Sequence, residues 1–145
     1  MKAPRSIFFY RETKNMKHKF HKVYLIDDDP TFNFITKMLL TRISFAEEIV
    51  DYADASDALD HLRNDREQLP EVIFLDLNMP GMDGWEFLDK YSSLPTEVLK
   101  DCKLYVLTSS IDPSDKSKSL SYSFVQDFIT KPLAFDKVQS IRENN

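Results

Sequence analysis

Three short runs along the chain are apolar at every position: 23–26 (VYLI), 72–75 (VIFL) and 104–107 (LYVL). Side chains of a strand alternate between two faces, so a run that is apolar throughout predicts a strand covered on both sides. A weaker run at 48–52 and a last one at 124–129 bring the predicted strands to five. Between them the spacing turns helical. Within 31–42, Phe32, Ile35, Met38, Leu39 and Leu40 recur at helical spacing, with Pro30 where a helix begins. Asp54 is a good N-cap for a second helix, whose Ala55, Ala58, Leu59 and Leu62 share one face, and Pro70 ends the segment. A third helix begins near Trp85 with a pause at Pro95, a polar fourth begins near Pro113, and a fifth covers 134–143. Five strands in strict alternation with five helices predict an α/β fold, a doubly wound parallel sheet.

Composition narrows the setting. The 145 residues match about one domain, and 42% hydrophobic with 30% charged residues argues against wholesale disorder. A lone cysteine, Cys102, excludes an internal disulfide and points to a reducing, cytoplasmic compartment. No apolar run approaches the roughly 18 residues of a spanning helix, and 7–10 is too short for a signal peptide.

Charge changes the picture more. Residues 1–22 hold seven Lys or Arg against Glu12 alone, +6, which leaves −11 on the remainder of a chain at −5. So acidic a body disfavours broad contact with a nucleic-acid backbone. Residues 1–18 are read as a basic, flexible N-terminal extension and 19–145 as the domain. Tethering to a membrane surface or RNA is a minor alternative for the extension. Met16, just before the first strand, leaves open whether residues 1–15 belong to the natural product.

In a doubly wound sheet, function collects beyond the carboxyl ends of the strands, at the point where strand order switches. The first strand delivers Asp27, Asp28 and Asp29 there, the third Asp76, the fourth Thr108, and the fifth Lys131 followed by Pro132. Crowded carboxylates repel unless a cation relieves them. Oxygen ligands without His or Cys favour a hard ion, and two or three carboxylates suit Mg²⁺. An Mg²⁺, a lysine and a hydroxyl around one carboxylate form a pocket for a phosphoryl group, with Asp76 as the nucleophile.

The motifs VYLIDDDP at 23–30, VIFLDLNMPGMDG at 72–84, VLTSS at 106–110 and FITKP at 128–132 are weak singly. In this order, at successive strand positions, they make the chain resemble the response-regulator receiver domain over about residues 19–143. The resemblance implies a flavodoxin-like strand order 2-1-3-4-5. It implies that Asp76 accepts a phosphoryl group from a phosphohistidine on a sensor histidine kinase or a histidine phosphotransfer protein. Asp28, Asp76 and the main-chain carbonyl of Asn78 would bind Mg²⁺, with Asp27 acting through a water. Lys131 would contact the phosphoryl oxygens, Thr108 would swing toward one of them, and Phe128 would turn inward as the switch aromatic. The Lys131–Pro132 bond is expected to be cis. With no output or DNA-binding domain after the last helix, the chain resembles the stand-alone type, which presents its surface to a downstream protein.

Two other classes share part of this pattern. A haloacid-dehalogenase-type phosphatase also uses an aspartyl nucleophile with Mg²⁺. It places a second acid two residues on, where this chain has Asn78, and its nucleophile lies on the first strand. A receiver-like docking module that is never phosphorylated has no need to keep the acids, Thr108 and Lys131 together. The chain has no Gly-rich phosphate loop, so phosphoryl groups must be delivered to it.

Overall fold

In the computed structural model, residues 17–145 are described, so most of the basic extension read over 1–18 lies outside the described residues. Five strands form one sheet: β1 (Phe20–Ile26), β2 (Ala46–Tyr52), β3 (Val72–Leu75), β4 (Lys103–Thr108) and β5 (Val125–Thr130). Their order is β2-β1-β3-β4-β5 and every pairing is parallel. The chain leaves β1 for β2 on one side and then crosses to β3 on the other. The switch point therefore falls between the carboxyl ends of β1 and β3.

The apolar runs serve two cores, as continuous patterning requires. Along β3, Val72 and Phe74 join the core under α1 (Pro30–Arg42) and the last helix, while Ile73 and Leu75 join the core on the opposite face. That second core is covered by α2 (Ala55–Asn64) and α3 (Gly84–Ser92). In α2 the buried residues are Ala55, Ala58, Leu59 and Leu62, the face read from the sequence, and Asp54 caps the helix by accepting from the Ser56 N–H.

Among the described residues, six helices stand where five were expected. The break at Pro95 is a short helix, α4 (Thr96–Leu99), which buries Val98, and α5 (Pro113–Leu120) and α6 (Phe135–Glu143) follow it. Four residues are too few to display a period, so α4 was not separable by pattern. Helix α2 stops at Asn64, well before Pro70, and a 3₁₀ turn (Arg66–Gln68) fills the gap. The apolar residues of α1 also face differently from a core stripe. Asn33, Thr36 and Leu40 are buried, while Phe34, Ile35 and Met38 are 64%, 56% and 58% exposed. Among the described residues, no helix is long and apolar enough to cross a membrane.

Candidate functional site

Because all strands run the same way, their carboxyl ends deliver the predicted residues to one rim. Asp27 follows β1, Asp76 follows β3, Thr108 ends β4 and Lys131 follows β5. One carboxylate oxygen from each of Asp27, Asp28 and Asp76 lies within 4.8 Å of the others; Asp27 and Asp76 are buried and Asp28 is exposed. Lys131 Nζ stands 2.5 Å from Asp27 Oδ2 and donates to Asp76 Oδ2 at 3.3 Å. The Lys131 N–H donates to the Thr108 carbonyl at 2.8 Å, tying the end of β5 to the end of β4. The Lys131–Pro132 bond is cis, as expected.

Burial raises the Asp27 carboxyl above the usual carboxylate range, Lys131 and the Asp29 N–H pull it back, and the Asp76 charge pushes it up again. Burial alone would lower Lys131, but the charges of Asp27 and Asp76 outweigh it and the ammonium is held above its ordinary value. Asp27 Oδ2 is buried and meets the Lys131 ammonium, but no backbone N–H donates to it. A buried carboxylate oxygen left this way, beside a second buried acid and an exposed third, fits a hard divalent cation at the mouth of the site.

The loop after Asp76 is shaped by the chain's two glycines. Gly81 has φ +73°, a left-handed conformation that a side chain disfavours. At Gly84 a Cβ would stand 2.5 Å from the Asp76 carbonyl oxygen and 2.6 Å from Leu77 Cα. Both are main-chain atoms, so any side chain at Gly84 displaces the backbone that carries Asp76. The Gly84 N–H donates to the Leu77 carbonyl at 2.9 Å, and the Asn78 N–H donates to Asp76 Oδ1 at 3.3 Å. Asp83 accepts from the Glu86 N–H and caps α3. The turn cluster read from the sequence thus docks a helix end against the Asp76 backbone.

Thr108 is fully buried and its Oγ1 accepts from the Ser110 N–H at 3.4 Å. Ser110 Oγ in turn donates to Asp115 Oδ2 at 2.6 Å, which fixes the loop to the first turn of α5. Phe128 is half-buried against the core that contains α2 and α3. Cys102 is buried in that core, and desolvation pushes its thiol up to about 12, in keeping with an inert side chain.

Helix α1 adds three residues that sequence reasoning did not assign to the rim. Asn33 Nδ2 donates to the Asp27 carbonyl at 2.7 Å, a bond buried from solvent. The ring of Phe32 lies under Lys131 Nζ, 4.1 Å from its centroid. With Thr36, these residues and the two buried acids border a cavity of about 10 Å³, room for about one water. The available signal was spacing: Asn33, Thr36 and Leu40 follow i, i+3, i+7, a helix face whose first two members are polar.

With this geometry established, comparison with known proteins identifies the class. Residues 23–142 match the response regulator receiver domain family, and the chain belongs to it. Its fold and strand order are those of the solved receivers. A two-component response regulator of Cytophaga hutchinsonii superimposes with a TM-score of 0.78 at 27% identity, covering 90% of this chain and all of that one. The phosphorylated cyanobacterial phytochrome response regulator RcpA gives 0.70 at 29% identity, covering 86% and 89%. Among curated relatives, the probable methanogenesis regulatory protein FilR2 of Methanothrix harundinacea is 28% identical over 120 residues, 81% of this chain and 76% of its own. The rice two-component response regulator ORR1 (indica) is 28% identical over 127 residues. Those residues are 84% of this chain but 54% of ORR1, and the share falls to 37% for the Bordetella regulator BvgA. The chain thus spans about a third to a half of the length of these last two relatives.

Proposed function

We propose that the domain is phosphorylated on Asp76 with Mg²⁺ by a phosphohistidine of a sensor histidine kinase or histidine phosphotransfer protein, and that it then changes a surface read by a downstream protein. The observation that carries this reading is the buried Asp76 carboxylate at a strand end, with Lys131 on Oδ2 and two further acids within 4.8 Å. A lone pair of an Asp76 oxygen forms the new P–O bond as the P–N bond of the donor breaks. The imidazole, protonated on its other nitrogen, leaves neutral. Lys131 is placed to meet the equatorial phosphoryl oxygens, and the Thr108 hydroxyl to donate to one of them once it gives up the Ser110 N–H. Asp28, Asp76 and the Asn78 carbonyl would hold the metal, with Asp27 acting through a water. A bound Mg²⁺ would supply charge neutralisation at the carboxylates and the incoming phosphoryl oxygens. Movement of Thr108 frees space beside β4, into which half-buried Phe128 turns, altering the face formed by α5, β5 and α6.

The test is incubation with Mg²⁺ and acetyl phosphate followed by intact mass. Wild-type protein gains the mass of one phosphoryl group and Asp76→Asn does not. An adduct that survives Asp76→Asn, or none under any condition, overturns the assignment. The second outcome leaves a docking module as the reading.

A further inference from the structure

We propose that Phe32 is a positioning residue for Lys131, its ring serving as a platform along which the ammonium shifts from Asp27 toward a phosphoryl group on Asp76. This rests on the phosphoacceptor reading of Asp76 and goes beyond it to a residue of α1.

Among the described residues, Lys131 Nζ meets Asp27 Oδ2 at 2.5 Å, Asp76 Oδ2 at 3.3 Å and the Phe32 ring at 4.1 Å from its centroid. Its side chain is only 16% exposed, so these neighbours replace most of its water. The closer carboxylate holds the ammonium on the Asp27 side, whereas chemistry at Asp76 needs it on the other. Carboxylates are directional partners that a proton donor must leave in order to move. An aromatic face attracts a cation anywhere within about 6 Å of its centroid, without a fixed donor angle. The ammonium can therefore travel between the acids while remaining on the ring. Phe32 also borders the small cavity that Asp27 and Asp76 line. An aliphatic side chain of similar bulk would fill the space but leave the third face of a poorly solvated ammonium without a partner. It would thereby strengthen the hold of Asp27.

The anchoring of Phe32 supports the assignment. Its N–H donates to Asp29 Oδ1 at 3.2 Å in the helix cap, and the neighbouring Asn33 is tied to the Asp27 carbonyl. The backbone that carries the ring is thus held by two bonds to the segment just after β1, in the first turn of α1.

The experiment compares wild type with Phe32→Leu and Phe32→Tyr in the full chain. In the metal-free protein, ring current moves the NMR signals of the Lys131 ε-methylene protons upfield. The shift persists in Phe32→Tyr and is lost in Phe32→Leu. With saturating Mg²⁺ and acetyl phosphate, Phe32→Leu is phosphorylated about 3- to 10-fold more slowly, and Phe32→Tyr recovers most of the rate. Mg²⁺ affinity by calorimetry is the same in all three, which separates an effect on Lys131 from loss of the metal site. The wild-type proton shift is itself decisive should Phe32→Leu fold poorly: no upfield shift means no ring platform. A phosphorylated wild type with an unimpaired Phe32→Leu overturns this inference alone. A wild type that takes no phosphoryl group overturns the parent reading and this one with it.

Discussion

At the scale of single residues, Lys131 is the hinge of the site's electrostatics. It is the neighbour that holds Asp27 and Asp76 together, and removing one member of a buried ion cluster strands the others. Lys131→Met is expected to cost about 3 kcal/mol near neutrality in the metal-free protein. The pH dependence has a definite sign. Burial already holds the Asp27 carboxyl high, and without the lysine's pull it rises further. A carboxyl raised in the folded state contributes stability that is full below its unfolded pKa and lost as pH rises through the folded value. The deficit of Lys131→Met should therefore shrink toward about pH 4, as urea unfolding across that range will show; a deficit independent of pH contradicts the cluster as described. Asp27, Asp28, Asp76, Thr108 and Lys131 were readable in the sequence because each sits where an apolar run stops, and parallel strands bring such stops together. Asn33, Thr36 and Phe32 were not. Ile35 and Met38 are more apolar than Asn33 and Thr36, so the stripe read from hydropathy took in the solvent side of α1 along with buried Leu40. Which side of a helix faces inward at a functional rim depends on polar partners that only the fold supplies.

At the scale of elements, strands were easier to place than helices. Burial on both faces makes a strand visible in four residues, as in β3, whereas α4 is as short and has no such signature. Capping was readable at Asp54, and in the structure Asp29, Asp83 and Asp112 likewise accept from an N–H of the first turn that follows. Asp29 matters most for the site. It accepts from the Thr31 and Phe32 N–H groups and so fixes the turn that carries Phe32 and Asn33. Asp29→Ala should cost about 0.5–2 kcal/mol. Faster amide exchange at Thr31 and Phe32 should accompany that loss, while exchange in β3 follows only the global change. Unchanged exchange at both amides would mean that the turn is held from elsewhere. On the other flank, Ser110 and Asp115 join the loop after β4 to α5. A movement at Thr108 thus has a short route to that helix.

For the molecule as a whole, the arrangement concentrates like charge at one rim of an otherwise two-cored sheet. A ligand that binds only the folded state stabilises it by mass action. Mg²⁺ at about ten times its dissociation constant would add about 1.4 kcal/mol, a rise in Tm of about 3–5 °C for a chain of this size. Scanning calorimetry with and without EDTA checks it, and a Tm that ignores Mg²⁺ counts against the metal site. The two cores and the rim were implied by alternation of apolar runs with helical spacing, and the strand order by the resemblance carried in the motifs; the sixth helix among the described residues and the contribution of α1 were not. The contact at Gly84 also reaches the neighbouring side chain. Trp85, the next residue and the only tryptophan of the chain, has Lys118 of α5 4.2 Å from its ring centroid. Its indole therefore stands one residue from the glycine packed on the Asp76 backbone and in contact with the helix that activation is expected to move. If Asp76 is the acceptor as proposed, the protein carries its own optical reporter, and its intrinsic emission would follow that event toward the surface in real time, without a label.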